Sequence, residues 1–185
     1  MSPPKWTQIS KHPFLQTPWY DISHDRYVRP DGDLGDYHYL DIPGSVMILP
    51  VCDDGRLVMV RQFRYLVGRT SLEFPAGGMV DDDAEANARR ELREEAGLEA
   101  GTWRRLGAFA PYNGVSNEVC RVFLAADLVQ VEPEPEPSEE IEVVRLPAAD
   151  LPEMIRDGRL WDGMSLAALR YYELFVEQEG RQGGG

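Results

Sequence analysis

Glu91, Glu94 and Glu95 fall within about one and a half turns of a candidate helix, and side chains three and four apart share a helical face. Carboxylates this close repel one another unless a positive partner lies beside them. A hard divalent cation is the simplest such partner. Mg²⁺ prefers carboxylate oxygens, keeps part of its water and bridges protein to phosphate-bearing substrates. Arg90 stands at the front of the run, and Gly97, a natural helix stop, at its back. The plainer alternative is an acidic face turned to solvent, with Arg90 and Glu94 as an ordinary surface pair. On the carboxylates alone that alternative is the simpler one. The segment upstream changes the balance.

Leu72-Glu73-Phe74 reads as the end of a strand. Pro75 pushes Phe74 toward an extended conformation, and Gly77-Gly78 permits a tight loop. Asp81-Asp82-Asp83 then supplies an N-cap and favourable charge at a helix start. Ala84, Ala88 and Leu92 recur every four residues and give a helix over about 82–96 an apolar back, opposite the acidic face. The order is strand, glycine loop, helix, with metal-type ligands on the helix.

In that setting residues 90–98, Arg-Glu-Leu-Arg-Glu-Glu-Ala-Gly-Leu, resemble the signature of the Nudix hydrolases. That signature is Gly, five residues, Glu, seven residues, then Arg-Glu-Uaa-x-Glu-Glu-x-Gly-Uaa, where Uaa is a bulky aliphatic residue. The second half matches at every fixed position. The first half departs: Asp82 stands where the first Glu belongs, and four residues rather than five separate it from Gly77. In the family the first Glu mostly fixes loop and helix, so the resemblance implies a local adjustment there and not a loss of activity. It also implies an α/β fold, the Nudix α/β/α sandwich with a mixed sheet, and Mg²⁺ as cofactor with Mn²⁺ as a substitute. The implied ligands are Glu91 and Glu95, with Glu94 as a third and the backbone carbonyl of Ala76 as a fourth. Arg90 is implied to hold the glutamates in orientation.

The N-terminal hairpin, Val60-Arg61-Gln62-Phe63-Arg64-Tyr65 and Leu72-Glu73-Phe74-Pro75-Ala76-Gly77 together resemble one branch of that family. Its members are the pyrophosphatases of ADP-ribose and other nucleoside diphosphate sugars. The implied reaction yields a nucleoside monophosphate and a sugar phosphate. A homodimer with exchanged N-terminal regions is implied as well. The branch draws its general base from a loop ahead of a late strand, where Ser138-Glu139-Glu140-Ile141 stands here. Glu140 is the first candidate, Glu139 the second and Glu118 the third. Glu139 and Glu140 also read as the plain continuation of the glutamate–proline loop before them.

The remaining chain bounds the answer. With 185 residues it is long enough for one sizeable core, and a net charge of −13 excludes a basic nucleic-acid footprint. A small anionic substrate stays compatible, because metal ions and a few arginines neutralise a site locally. Cys52 and Cys120 are too few for a disulfide scaffold or a zinc site. The absence of an N-terminal apolar segment, or of any run of about 18 apolar residues, makes cytoplasmic the default location. Residues 1–18 read as an extended arm and 19–42 as an antiparallel hairpin turning at Pro30-Asp31-Gly32, an N-terminal β extension serving dimerisation and the substrate pocket. Residues 43–180 read as the hydrolase domain and 181–185 as a disordered tail, with fraying from Gly180. Two C-terminal helices are expected, from about Asp150 to Asp157 and from Ser165 to Glu179.

Arg61 and Arg64 are candidates for the substrate's phosphates, but three apart on a strand they face opposite ways unless the strand has ended. Glu73 is a candidate ion-pair partner for one of them. Trp19, Tyr20, Tyr27 and Tyr39 are candidates for stacking on a nucleobase and equally for core packing. Asn113 and Ser116, in Asn113-Gly114-Val115-Ser116-Asn117, suit hydrogen bonds to sugar or phosphate, or an ordinary turn. The competing functions are a dinucleoside polyphosphate hydrolase and a non-catalytic nucleotide-sugar-sensing module. The latter has no need of three clustered carboxylates. Isomerisation of isopentenyl diphosphate would want a catalytic cysteine and a histidine metal site, which Cys52, Cys120, His12, His24 and His38 do not suggest.

Overall fold

The computed structural model describes residues 5–132 and 140–182. Contacts divide the chain into two units: Met1–Gly44 with Ala110–Val119, and Ser45–Phe109 with Cys120–Gly185.

The first unit is an antiparallel sheet of three strands, β1 (Thr7–Gln16), β2 (Asp21–Val28) and β3 (Leu34–Asp41), in the order β1-β2-β3. The extended arm expected over residues 1–18 is therefore corrected: most of it is a strand. Pro13 sits on an edge strand beside a register shift between Pro13 and Leu15. An edge strand tolerates the missing N–H there. His12, His24 and His38 fall in one cross-strand row, with the rings of His24 and His38 stacked at 4.3 Å. Residues 110–119 join this unit rather than the hydrolase domain that their place in the chain suggests. Leu40 N–H donates to the Val115 carbonyl at 2.8 Å, and Ile42 N–H to Asn117 Oδ1 at 2.9 Å.

The second unit holds β4 (Ser45–Pro50), β5 (Arg56–Arg64), β6 (Arg69–Glu73), β7 (Ala76–Gly78), α1 (Ala84–Ala96), β8 (Leu98–Phe109), β9 (Cys120–Gln130), β10 (Glu142–Pro147), α2 (Leu151–Arg156) and α3 (Gly163–Gln182). One sheet runs β7-β4-β9-β8 and is mixed, with β4 and β9 parallel. The other runs β10-β5-β6 and is antiparallel. Every residue of β4 is buried. Its alternation splits the core in two: Val46 and Ile48 pack with Ala88 and Leu92 of α1, while Met47 and Leu49 pack with Leu151, Ala168 and Leu169 of α2 and α3. A strand with two apolar faces needs a helical layer on each, which is the α/β/α arrangement.

Helix α1 begins two residues later than the sequence suggests. Of the three aspartates expected to supply the N-cap, Asp83 does so, and it accepts from Ala86 N–H at 3.0 Å. Its end is where the glycine predicts: Gly97 adopts φ 61° and its N–H bonds back to the last turn. The tail expected to fray from Gly180 is corrected too, since α3 continues through Gly180 to Gln182. Residues 183–185 lie outside the described residues, as does most of the Glu–Pro loop. No helix among the described residues is long and apolar enough to cross a membrane.

Candidate active site

The face of α1 that the sequence marks as acidic lies against β7. Glu91 and Glu95 are each 7% exposed, against an expectation that such residues stay in water. Burial of a carboxylate demands compensation, and the backbone of β7 supplies part of it. Ala76 N–H donates to Glu95 Oε2 at 2.9 Å. Gly77 faces Glu91 so closely that a Cβ there would collide with the carboxyl group. The glycine is required for room, not for an unusual backbone conformation.

Arg90 ties the cluster together. Its guanidinium donates to Glu94 Oε2 at 2.5 Å, to Glu91 Oε1 at 2.5 Å and to the Gly78 carbonyl at 3.1 Å. Burial works against its charge, but Glu91 and Glu94 beside it outweigh that and raise its pKa above the ordinary arginine value. Arg90 thus holds two carboxylates and the loop backbone at once, a bridging role rather than contact with reacting atoms.

Arg64, at the end of β5, forms a two-pronged ion pair with the buried Glu73, one prong Nε to Oε1 at 2.9 Å. The hydrogen bond to Glu73 raises the Arg64 pKa most; burial opposes it, and the charges of Glu73, Glu95 and Asp162 add to the rise. Arg61 goes elsewhere. It pairs with Glu142 at 2.5 Å and lines a cavity of about 680 Å³ with Leu72, Leu146 and Met154. Strand parity separates the two arginines, since Arg61 pairs with Leu72 and Arg64 with Arg69 across β5 and β6.

The other sequence candidates divide by unit. Glu140 belongs to the second unit and is exposed just ahead of β10. Glu139 lies outside the described residues. Glu118, Trp19, Tyr20, Tyr27, Asn113 and Ser116 belong to the first unit. Tyr27, Asn113 and Ser116 line a cavity there of about 540 Å³ with Trp6, Tyr37, Tyr39 and Asp25. Trp6 and Tyr27 contribute rings 5.2 Å apart, and Asp25 accepts from Gln8 at 2.6 Å. Trp19 and Tyr20 do not line it; they sit at the β1–β2 turn, where their N–H groups donate to Thr17 Oγ1. Sequence reasoning missed Trp6 and Asp25. It also missed Asn87, which is 2% exposed one helical turn before Glu91. The available signal was spacing: Asn87 stands four residues ahead of Glu91 and eight ahead of Glu95, on the same helical stripe.

Among the described residues no three acidic, histidine or cysteine side chains are gathered into a group that could hold a metal. Arg90 draws Glu91 and Glu94 to itself instead. The donor chemistry nonetheless fits a hard divalent cation. Three carboxylates share one side of α1, and Gly77 leaves the room that the Glu91 carboxyl group occupies there.

A family model described as "NUDIX domain" matches residues 41–168. The chain belongs to this family. The ADP-ribose pyrophosphatase of Bacillus subtilis (strain 168) is 32% identical over 169 residues, covering 90% of this chain and 91% of that protein. A GDP-mannose pyrophosphatase of Yersinia pestis (strain Pestoides F) is 35% identical over 147 residues, 71% of each chain. Among solved structures, one titled "Crystal structure of ADP compounds hydrolase" superposes with a TM-score of 0.82 at 21% identity, covering 96% of this chain and 97% of that one. That last likeness speaks for the fold. Nudix hydrolases generally use a divalent metal ion.

Proposed function

We propose that this protein hydrolyses the diphosphate linkage of ADP-ribose or a related nucleoside diphosphate sugar, with Mg²⁺ held by Glu91, Glu95 and Glu94 and the Ala76 carbonyl. The observation that carries this is the buried, hydrogen-bonded pair Glu91 and Glu95 against the backbone of β7. Two buried carboxylates are expensive to maintain, and a role for them accounts for their retention. The names of the Bacillus and Yersinia relatives support the substrate class.

When bound, Mg²⁺ or Mn²⁺ neutralises phosphate oxygens and lowers the pKa of a coordinated water. The chain's own residues do the rest. Arg90 keeps Glu91 and Glu94 aimed. Arg64, pinned by Glu73, presents positive charge to a phosphoryl group. Glu140 takes the proton of the attacking water as its oxygen bonds to phosphorus and the bridging P–O bond breaks. The products are a nucleoside monophosphate and a sugar phosphate. The aromatic cavity of the first unit suits a nucleobase, which stacks on such rings with about 1–3 kcal/mol per base.

A cytoplasmic homodimer completes the proposal. Phe63, Tyr65, Leu66 and Val67 form an exposed apolar run, with Leu66 95% exposed. Such runs mark interaction surfaces.

The test is a substrate panel of ADP-ribose, GDP-mannose, ADP-glucose, UDP-glucose and diadenosine polyphosphates, each with Mg²⁺ and with chelator. Metal-dependent release of monophosphate from a nucleotide sugar is expected. Preference for the diadenosine compounds would redirect the assignment, and no turnover of any would favour a sensing module.

A further inference from the structure

We infer that Asn87 is the positioning residue that locks the shortened glycine loop onto α1, and through it sets Glu91 and Glu95; the metal-related part rests on the reading above. Asp82, which occupies the sequence position for that task, is exposed. Asn87 does otherwise. Its Oδ1 accepts from Val80 N–H at 2.9 Å. Its Nδ2 donates to Asp81 Oδ1 at 2.8 Å, to the Asp83 carbonyl at 2.8 Å and to the Asp81 carbonyl at 3.3 Å. One amide therefore engages three successive parts of the loop, from inside a helix.

The geometry is a zipper. Asn87, Glu91 and Glu95 recur every four residues, so they form one stripe of α1. Each is buried, and each meets a different stretch of the chain running back along the helix. Glu95 meets Ala76, Glu91 meets Gly77, and Asn87 meets Val80, Asp81 and Asp83. Arg90 joins at Gly78. Ala76 N–H and the room at Gly77 are in place only while the loop lies along this stripe. Asn87 closes the end of the zipper that no other side chain on the stripe reaches. An amide suits the position because it both donates and accepts. A carboxylate there would accept from Val80 but face the Asp81 carboxylate as a like charge.

The experiment measures Mn²⁺ binding by calorimetry and amide hydrogen exchange without metal, in the wild type, Asn87→Ala and Asp82→Ala. Outer partners of metal ligands are worth about 10–100-fold in affinity. Asn87 reaches the ligands only through the loop, so Asn87→Ala is expected to bind Mn²⁺ about tenfold weaker, the low end of that range. Its Val80 amide should exchange at least about tenfold faster while β4 amides stay protected. Asp82→Ala should leave both readouts near wild type. If Asn87→Ala fails to fold, Asn87→Asp serves: it keeps the acceptor, loses both donors and should show the same losses. Wild-type exchange at Val80 in the Asn87 variant, or an equal loss in Asp82→Ala, overturns the inference. A wild type that binds no Mn²⁺ while Val80 still loosens in Asn87→Ala would sink the metal reading and leave the staple standing.

Discussion

Gly77→Ala is the sharpest single perturbation of the proposed machinery. The added methyl would sit on the Glu91 carboxyl group. Ordinary carbon contacts lie at about 3.5–4.0 Å, so either Glu91 or β7 must retreat by more than about 1 Å. Neither retreat is easy. Glu91 is buried and held by Arg90 at 2.5 Å, and β7 is paired with β4 and bonded to Glu95. Forcing an extra methyl into such a place costs about 1–3 kcal/mol of stability. A displacement of about 1 Å in a catalytic group costs about 100-fold in rate. The assay is steady-state turnover of ADP-ribose at saturating metal, paired with urea unfolding to show that the variant is folded. Gly78→Ala is the comparison, because a Cβ there meets nothing within 4 Å. It should be at least about tenfold milder, which is about 1.4 kcal/mol of barrier. A folded Gly77→Ala with near-wild-type turnover would refute the claim that the Glu91 carboxylate must stay where it is.

Two further outcomes are expected. Glu95→Gln keeps an oxygen for Ala76 N–H but loses the charge and exchanges the other acceptor oxygen for a donor, so the fold, checked by urea unfolding, should survive; a metal ligand should matter more than its outer partners, so turnover should drop by more than about 100-fold, and wild-type rates would remove Glu95 from the metal assignment. In the first unit, burial works against ionised Asp41, but hydrogen bonds from Lys11, Ser23 and Asn117 and the Lys11 charge hold its pKa below the usual carboxylate value. The Lys11 pKa is raised, mainly by its hydrogen bond to Asp41. The Asp41 contribution is then present above its unfolded pKa and lost as pH falls through the folded one; that of Lys11 is present below its unfolded pKa and lost as pH rises through the folded one. Thermal unfolding followed against pH should show both edges, with Asp41→Asn flattening the acid one, and an unchanged acid profile in that variant would discount the pair.

Local signals carried much of the site. The four-residue spacing of Ala84, Ala88 and Leu92, the aspartates ahead of them and Gly97 behind them specify a helix with one apolar and one acidic face. Each of these acts within a turn or two of itself, so it is written in contiguous residues. The alternation of β strands likewise forecast that Arg61 and Arg64 would part company, and they do. What contiguous residues do not contain is the identity of the surface that a face will meet. Residues 7–16 look like an arm until β2 pairs with them, and residues 110–119 look like part of the hydrolase domain until Leu40 and Ile42 bond to them. Asp82 looks like the loop's anchor because it is close to the expected place in sequence.

The chain order alone thus determined which residues carry negative charge to one side of a helix and where that helix stops. Tertiary structure decided that this side would be buried, that β7 would lie along it, and that Asn87 rather than Asp82 would tie the loop down. The physical reason is that propensity and periodicity act over a few residues. Burial of a charge and the hydrogen bonds that compensate it depend instead on strands and helices far apart in the chain being brought into contact.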